Sequence, residues 1–175
     1  MNNNAKVSII MGSDSDLPIM KNAMDFFDKM DIQYEVNILS VHRNPDETIE
    51  YANYINNNNI QVIIAGAGGA AHLPGIFAAY CNVPVIGVPI ETATLNGVDS
   101  LYSIVQMPSG IPVATVGINN SKNAAILGAQ IISLNNNVVK EKLLMYKNEL
   151  KEIVSSKNRK IHDIGFKEYL KDMRG

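Results

Sequence analysis

Val62-Ile63-Ile64-Ala65-Gly66-Ala67-Gly68-Gly69-Ala70-Ala71-His72-Leu73-Pro74-Gly75 is the stretch that decides the fold. Its first four residues are apolar without alternation, which describes a strand buried on both faces, and such strands belong to parallel sheets covered by helices on each side. The run gives way to glycine and alanine where the strand should end. Bare backbone of that kind lets a ligand approach the main chain and leaves N–H groups free for an anion or a carboxylate. The stretch therefore reads as a buried strand emptying into a binding loop.

Working outward, residues 7–11, 34–39, 85–88 and 113–116 repeat the short apolar, β-branched pattern of residues 62–65. Helical spacing fills the intervals, over about 17–30, 46–56, 74–80, 98–107 and 121–134, so strand and helix alternate five times. In the first helix Met20, Ala23, Met24, Phe27 and Met30 fall on one stripe, which reads as core. Right-handed crossovers turn this alternation into an α/β fold: a three-layer α/β/α sandwich with a doubly wound, five-stranded parallel sheet in the flavodoxin-like order 2-1-3-4-5. Residues 1–137 are expected to form the catalytic domain. A helix over 138–154 and a charged tail over 155–175 should pack on that domain or on a neighbouring subunit. In such sheets ligands bind at the carboxyl ends of the strands, where strand order reverses.

A chain of 175 residues suits one domain, able to bury roughly 70% of its unfolded surface without cross-links. The single cysteine, Cys81, rules out an internal disulfide framework and multi-cysteine zinc patterns, and reads as a small buried residue in a reducing compartment. No metal pattern is apparent. No apolar run approaches the roughly 18 residues needed to span a bilayer, and Met1-Asn2-Asn3-Asn4-Ala5-Lys6 carries no signal-like hydrophobic stretch, so a soluble, cytoplasmic protein without a membrane partner is expected. Residues 1–139 hold five Lys and Arg against eleven Asp and Glu, and residues 140–175 hold ten against six. The basic end has too few aromatics, only Tyr146, Phe166 and Tyr169, for a nucleic-acid surface. The asparagine runs at 2–4, 56–59 and 135–137 read as compositional bias.

The strand ends carry the chemistry. After the first strand comes Gly12-Ser13-Asp14-Ser15-Asp16, with Pro18 just inside the next helix. A helix cap explains one of these polar residues. Serines around a helix N-terminus can also hold a phosphate, and an aspartate suits sugar hydroxyls. After the second strand comes Ser40-Val41-His42-Arg43-Asn44-Pro45, where Arg43 is the only arginine before Arg159 and His42 is one of three histidines. Arginine grips phosphate or carboxylate with a two-pronged fork, and histidine, with an ordinary pKa of about 6.5, transfers protons near neutrality. The third strand end formally matches G-x-G-x-x-A through Gly66, Gly68 and Ala71, with Glu91 where a dinucleotide fingerprint has its acid. That fingerprint belongs in the first βα turn, and Pro74-Gly75 is expected to interrupt the helix that should cradle a pyrophosphate. His72 reads equally as a site residue or a helix cap. Residues 95–101 read equally as structure or site, as do Ser121 and Lys122, while His162 reads as an exposed bystander.

Assembled, these motifs resemble the class I N5-carboxyaminoimidazole ribonucleotide mutase family of de novo purine synthesis. The likeness runs through Gly12-Ser13-Asp14-Ser15-Asp16, Ser40-Val41-His42-Arg43, residues 66–75, Pro84-Val85-Ile86-Gly87-Val88-Pro89 and residues 95–116 with Gln106-Met107-Pro108-Ser109-Gly110. Val41 stands where alanine is usual, and Asn44 where threonine is. The resemblance implies that Ser13, Ser15 and Arg43 hold the nucleotide phosphate, Asp16 the ribose hydroxyls, and that Ser40 orders its loop. It implies His42 as the general acid/base, and Ala67, Gly68 and Leu73, with His72 nearby, against the base and the migrating carboxylate. It further implies no cofactor, no metal and a homo-octamer. The Gly/Ala stretch becomes a wall confining carbon dioxide between decarboxylation and recarboxylation. A class II carboxylase using carbon dioxide directly, and a nucleotide-binding module without turnover, are the competing readings.

Overall fold

The computed structural model describes residues 6–173. Eleven elements follow in order: β1 Val7–Met11, α1 Leu17–Met30, β2 Tyr34–Ile38, α2 Pro45–Asn56, β3 Val62–Gly68, α3 Leu73–Tyr80, β4 Val85–Ile90, α4 Val98–Val105, β5 Ala114–Thr115, α5 Ser121–Ser133 and α6 Asn137–Asp172. A short 3-10 turn, Asp14–Asp16, leads into α1. All strand pairs are parallel and the order is 2-1-3-4-5, as the alternation requires.

Burial explains why the central strands carry no polar alternation. Every residue of β1 and β4 is buried, and so are the first six of β3. Val7, Ile9, Met11, Val62, Ile64, Ile86 and Val88 face a core shared with α1, α5 and the start of α6. Ile10, Ile63, Ala65 and Ala67 face the opposite core, shared with α2, α3 and α4. The stripe on α1 lands as its spacing dictates: Met20, Ala23, Phe27 and Met30 are buried, and Met24 packs at the margin. Cys81 is buried too, and loss of hydration pushes its thiol up to about 11, so it packs as an uncharged side chain.

Several boundaries differ from the sequence reading. β3 continues through Gly66 and Gly68, because both pair with β4 opposite Val88 and Ile90; the glycines end the strand rather than follow it. β5 shortens to Ala114–Thr115 at the sheet edge. Pro74 lies in the first turn of α3, where a missing N–H costs nothing, so it starts that helix instead of interrupting it. The asparagines also do local structural work: Asn136 caps α6 by accepting the Val139 N–H, and Asn57 and Asn58 close the end of α2 on the carbonyls of Asn53 and Tyr54.

The charged segment beyond residue 155 continues α6 as helix. Gly165, at φ +76, breaks it, and Lys160 reaches Asp172 at 2.8 Å across the break; on an unbroken helix those residues would stand roughly 18 Å apart. The helix docks on its own domain through Val139, Leu143 and Tyr146, the last edge-on to Phe26. Burial of each such side chain is worth about 1.5–3 kcal/mol. The accompanying Lys29–Glu149 pair is half exposed on both sides and contributes well under about 1 kcal/mol. Leu150, Ile153 and Val154 remain exposed.

One buried carboxylate stabilises the β2–α2 side. Glu35 accepts the Tyr51 hydroxyl at 2.5 Å, Tyr54 approaches its other oxygen at 3.4 Å, and Ser8 meets the Tyr51 oxygen at 2.7 Å. Burial, reinforced by the Glu35 carboxylate, drives the Tyr51 pKa far upward, so the phenol stays a donor at every working pH. Replacing Tyr51 by Phe leaves Glu35 short of its principal donor; the expected loss is about 1–3 kcal/mol, read as a lower urea midpoint with an unchanged m-value.

Candidate active site

Sheet register assembles the site. Met11 at the end of β1 lies opposite both Ile38 of β2 and Gly66 of β3, so the loops beginning at Gly12 and Leu39 emerge side by side, next to the last residues of β3 and the loop that follows Gly68. A cleft of about 480 Å³ opens there. It is lined by Ser13, Ser15 and Asp16 from the first loop, Ser40, His42 and Arg43 from the second, and Ala67, Gly68, His72 and Leu73 from the third. Every residue singled out for the site thus borders one cavity. The end of β4 supplies Ile90, Glu91 and Thr92, which completes the far wall. A groove of similar volume between α5 and α6 presents Gln130, Ser133, Lys140 and Leu144, without an imidazole or a carboxylate cluster.

The first loop is held by its own hydroxyls. Ser13 Oγ accepts the Ser15 N–H at 3.3 Å and caps the short turn. Asp16 is buried but makes no capping bond to α1. Desolvation raises its carboxyl pKa above the ordinary value, against the opposing bond from the Ser15 hydroxyl. A carboxylate that accepts few internal bonds and is shielded from water is a strong acceptor for ligand hydroxyls.

Arg43 ties the first two loops together. Its Nε donates to Ser40 Oγ at 3.2 Å and its Nη2 to the Gly12 carbonyl at 3.3 Å. The guanidinium is thereby oriented beside Ser13, with donors left for an anion. Asn44, the residue that departs from the usual threonine, accepts the Ser40 N–H at 2.9 Å and donates to Glu47 at 2.7 Å. The substitution is therefore absorbed as a loop clasp.

The two histidines meet. His42 Nε2 and His72 Nδ1 are 2.7 Å apart, and the rings stand edge to face with centroids 4.9 Å apart. His72 occupies the position before α3, yet its side chain makes no capping bond; it serves His42 instead. A hydrogen bond at that distance couples the two imidazoles, so the protonation of one ring nitrogen constrains the tautomer of the other, and both rings border the cleft.

The expectation of free N–H groups on the Gly/Ala stretch is met in part. The Gly69 N–H is taken by Ser100, and those of Ala71 and His72 by the carbonyls of Gly69 and Ala70. Gly69 itself sits at φ +65, a conformation glycine adopts without strain. The side chains the stretch brings to the cleft, Ala67, Ala70 and Ala71, are small and apolar, and the N–H groups of Ala70 and Leu73 have no partner among the described residues. Glu91, weighed from the sequence as the acid of a dinucleotide fingerprint, lines the cleft and locks to Asn119 through two bonds of 2.9 Å, side chain to side chain and N–H to amide oxygen. Its distance from the glycines suggested a ribose acid; the contact with Asn119 gives it a structural partner. Among the described residues no group of His, Cys, Asp and Glu could hold a metal ion, and no helix is long and apolar enough to cross a membrane.

Comparison with known proteins agrees with this geometry. The AIR carboxylase family profile matches residues 6–153. The N5-carboxyaminoimidazole ribonucleotide mutase of Thermotoga maritima is 54% identical over 94% of this chain and 96% of its own length, and that of Pyrococcus horikoshii is 52% identical over 95% and 94%. A protein of Candida glabrata named phosphoribosylaminoimidazole carboxylase is 51% identical, and the match spans 29% of that longer chain. The crystal structure of Treponema denticola PurE superposes with a TM-score of 0.82 at 26% identity, covering 89% of this chain and 97% of that one. With its sheet order, its cleft and its sequence in agreement, the chain belongs to the AIR carboxylase family.

Proposed function

We propose that this chain is an N5-carboxyaminoimidazole ribonucleotide mutase, an isomerase of de novo purine synthesis that moves a carboxylate from the exocyclic nitrogen N5 to ring carbon C4. The observation that carries the reading is 52–54% identity across about 94% of the chain to proteins of that name. The cleft supports it with the residue types the reaction needs. Ser13, Ser15 and Arg43 bind the phosphate, Asp16 accepts the ribose hydroxyls, and the base lies between the histidine pair and the Ala67–Gly68 wall.

The reaction balances without an external reactant. The C–N bond to the carboxylate breaks, carbon dioxide leaves, and the electron pair stays on N5, which takes a proton from protonated His42. C4, electron-rich like an enamine carbon, attacks the confined carbon dioxide; His42, now neutral, removes the C4 proton, which returns it to its starting state as aromaticity is restored. Holding both fragments together replaces a dilute bimolecular carboxylation, and a closed, dry pocket keeps carbon dioxide from escaping. His72 orients His42 through their hydrogen bond. No residue in this scheme calls on a cofactor. The exposed apolar side chains Leu150, Ile153, Val154 and Phe166 on the C-terminal helix support assembly with other copies, and the resemblance implies an octamer.

Purified protein should convert N5-carboxyaminoimidazole ribonucleotide to the 4-carboxylated isomer without added bicarbonate. Activity only from aminoimidazole ribonucleotide plus bicarbonate would make it a direct carboxylase, and binding without product a nucleotide module. H42N should lower kcat by about 10²–10⁴-fold in a protein with an unchanged melting curve; near-normal turnover would remove His42 from the mechanism. G68V tests the wall: a Cβ there would meet Thr92 Cγ2 at 3.4 Å, an ordinary contact, so the fold should survive while the added methyls obstruct the cleft and abolish turnover. For Asp16 the sign runs toward stability. Its raised pKa means the charged form is disfavoured by folding, an effect present at neutral pH and absent once pH falls below the unfolded carboxyl's pKa. D16N should therefore raise Tm at pH 7, lose that advantage near pH 3, and raise KM sharply.

A further inference from the structure

Helix α4 turns three polar side chains toward the back of the Gly/Ala wall. Ser100 is fully buried; its hydroxyl accepts the Gly69 N–H at 2.8 Å and donates to the Ile90 carbonyl at 2.6 Å. One turn later Ser103 donates to the Gly69 carbonyl at 3.2 Å. Asp99 accepts the Thr92 hydroxyl through both its oxygens, at 3.0 and 2.9 Å, and Thr92 lines the cleft beside Gly68. Both polar groups of the one left-handed residue in the wall are therefore fastened to a single helix, and the same hydroxyl joins that residue to the end of β4. Satisfying the Ile90 carbonyl alone would explain one of these bonds. It does not explain why Gly69 is gripped from both sides.

We infer that Ser100, seconded by Ser103, is a positioning residue that keeps the wall closed while carbon dioxide is free between N5 and C4. The inference rests on the mutase reading. Carbon dioxide is small, uncharged and apolar, so no side chain can hold it by charge; its retention depends on how tightly the wall is shut. Without the Ser100 hydroxyl, the Ile90 carbonyl loses its partner where it is buried and the half-buried Gly69 N–H loses its own, so the turn shifts toward other partners. The phosphate end is independent of this device. Among the described residues Ser13, Ser15 and Arg43 share no hydrogen bond with α4.

The distinguishing readout is partition, not rate. The intact enzyme is given substrate carrying ¹³C in its N5-carboxylate, in unlabelled bicarbonate, and labelled 4-carboxylated product is counted against released aminoimidazole ribonucleotide. S100A should raise the fraction of turnovers ending in release by about fivefold or more, with KM changed by no more than about twofold. S103A should move the partition the same way by less, and S103T, which keeps the hydroxyl, should restore it. Should S100A fail to fold, S103A against S103T decides. Variants that melt like wild type and partition like wild type, even with a lower kcat, would overturn the role. A wild-type enzyme that makes no product from this substrate would overturn the mutase reading instead.

Discussion

Parallel pairing that brings the ends of β1, β2 and β3 to within two residues of one height is the constraint on which the cleft depends. Because Met11 sits opposite Ile38 and Gly66, three loops leave the sheet together, and side chains 30 residues apart in sequence, such as His42 and His72, come within hydrogen-bonding reach. A slip of one residue in either pairing would turn every strand side chain to the other face. It would also carry Gly12 away from Arg43. The apolar faces of the strands enforce that register, since each alternate residue belongs to one of two separate cores. Packing energy thus fixes catalytic distance.

The cleft has a division of labour along its length. At one end, hydroxyls and a guanidinium are already bonded to their own loops, an arrangement that leaves little to order on meeting an anion. At the other end, several polar groups of the backbone are consumed internally, and the side chains offered are small and apolar. Between them stands the histidine pair. The polar end suits a ligand that must be gripped; the apolar end suits one that must only be enclosed.

Much of the fold was legible because buried parallel strands announce themselves: an unbroken apolar run such as Val62-Ile63-Ile64-Ala65 has few other uses in a soluble chain. The residues of the cleft were legible through rarity, since Arg43 and His42 stand out in a chain with three arginines and three histidines. What stayed hidden was pairing. Nothing in the sequence distinguishes a histidine that caps a helix from one that turns to meet another, or says that Ser100 faces Gly69 31 residues away. The helix beyond residue 155 was missed for a different reason. Its four lysines favour helix intrinsically, but without a buried stripe it gives no periodic signal.

Gly66 shows how such a site restricts change. A Cβ at that position would lie 2.6 Å from the Met20 sulfur, which is itself buried in the core beneath α1. Alanine at 66 requires a smaller or displaced side chain at 20, and a smaller side chain at 20 alone opens a void under the wall. The thioether is the flexible end of its side chain, so a change at 66 is taken up in α1, and the packing below the cleft is shared between α1 and β3.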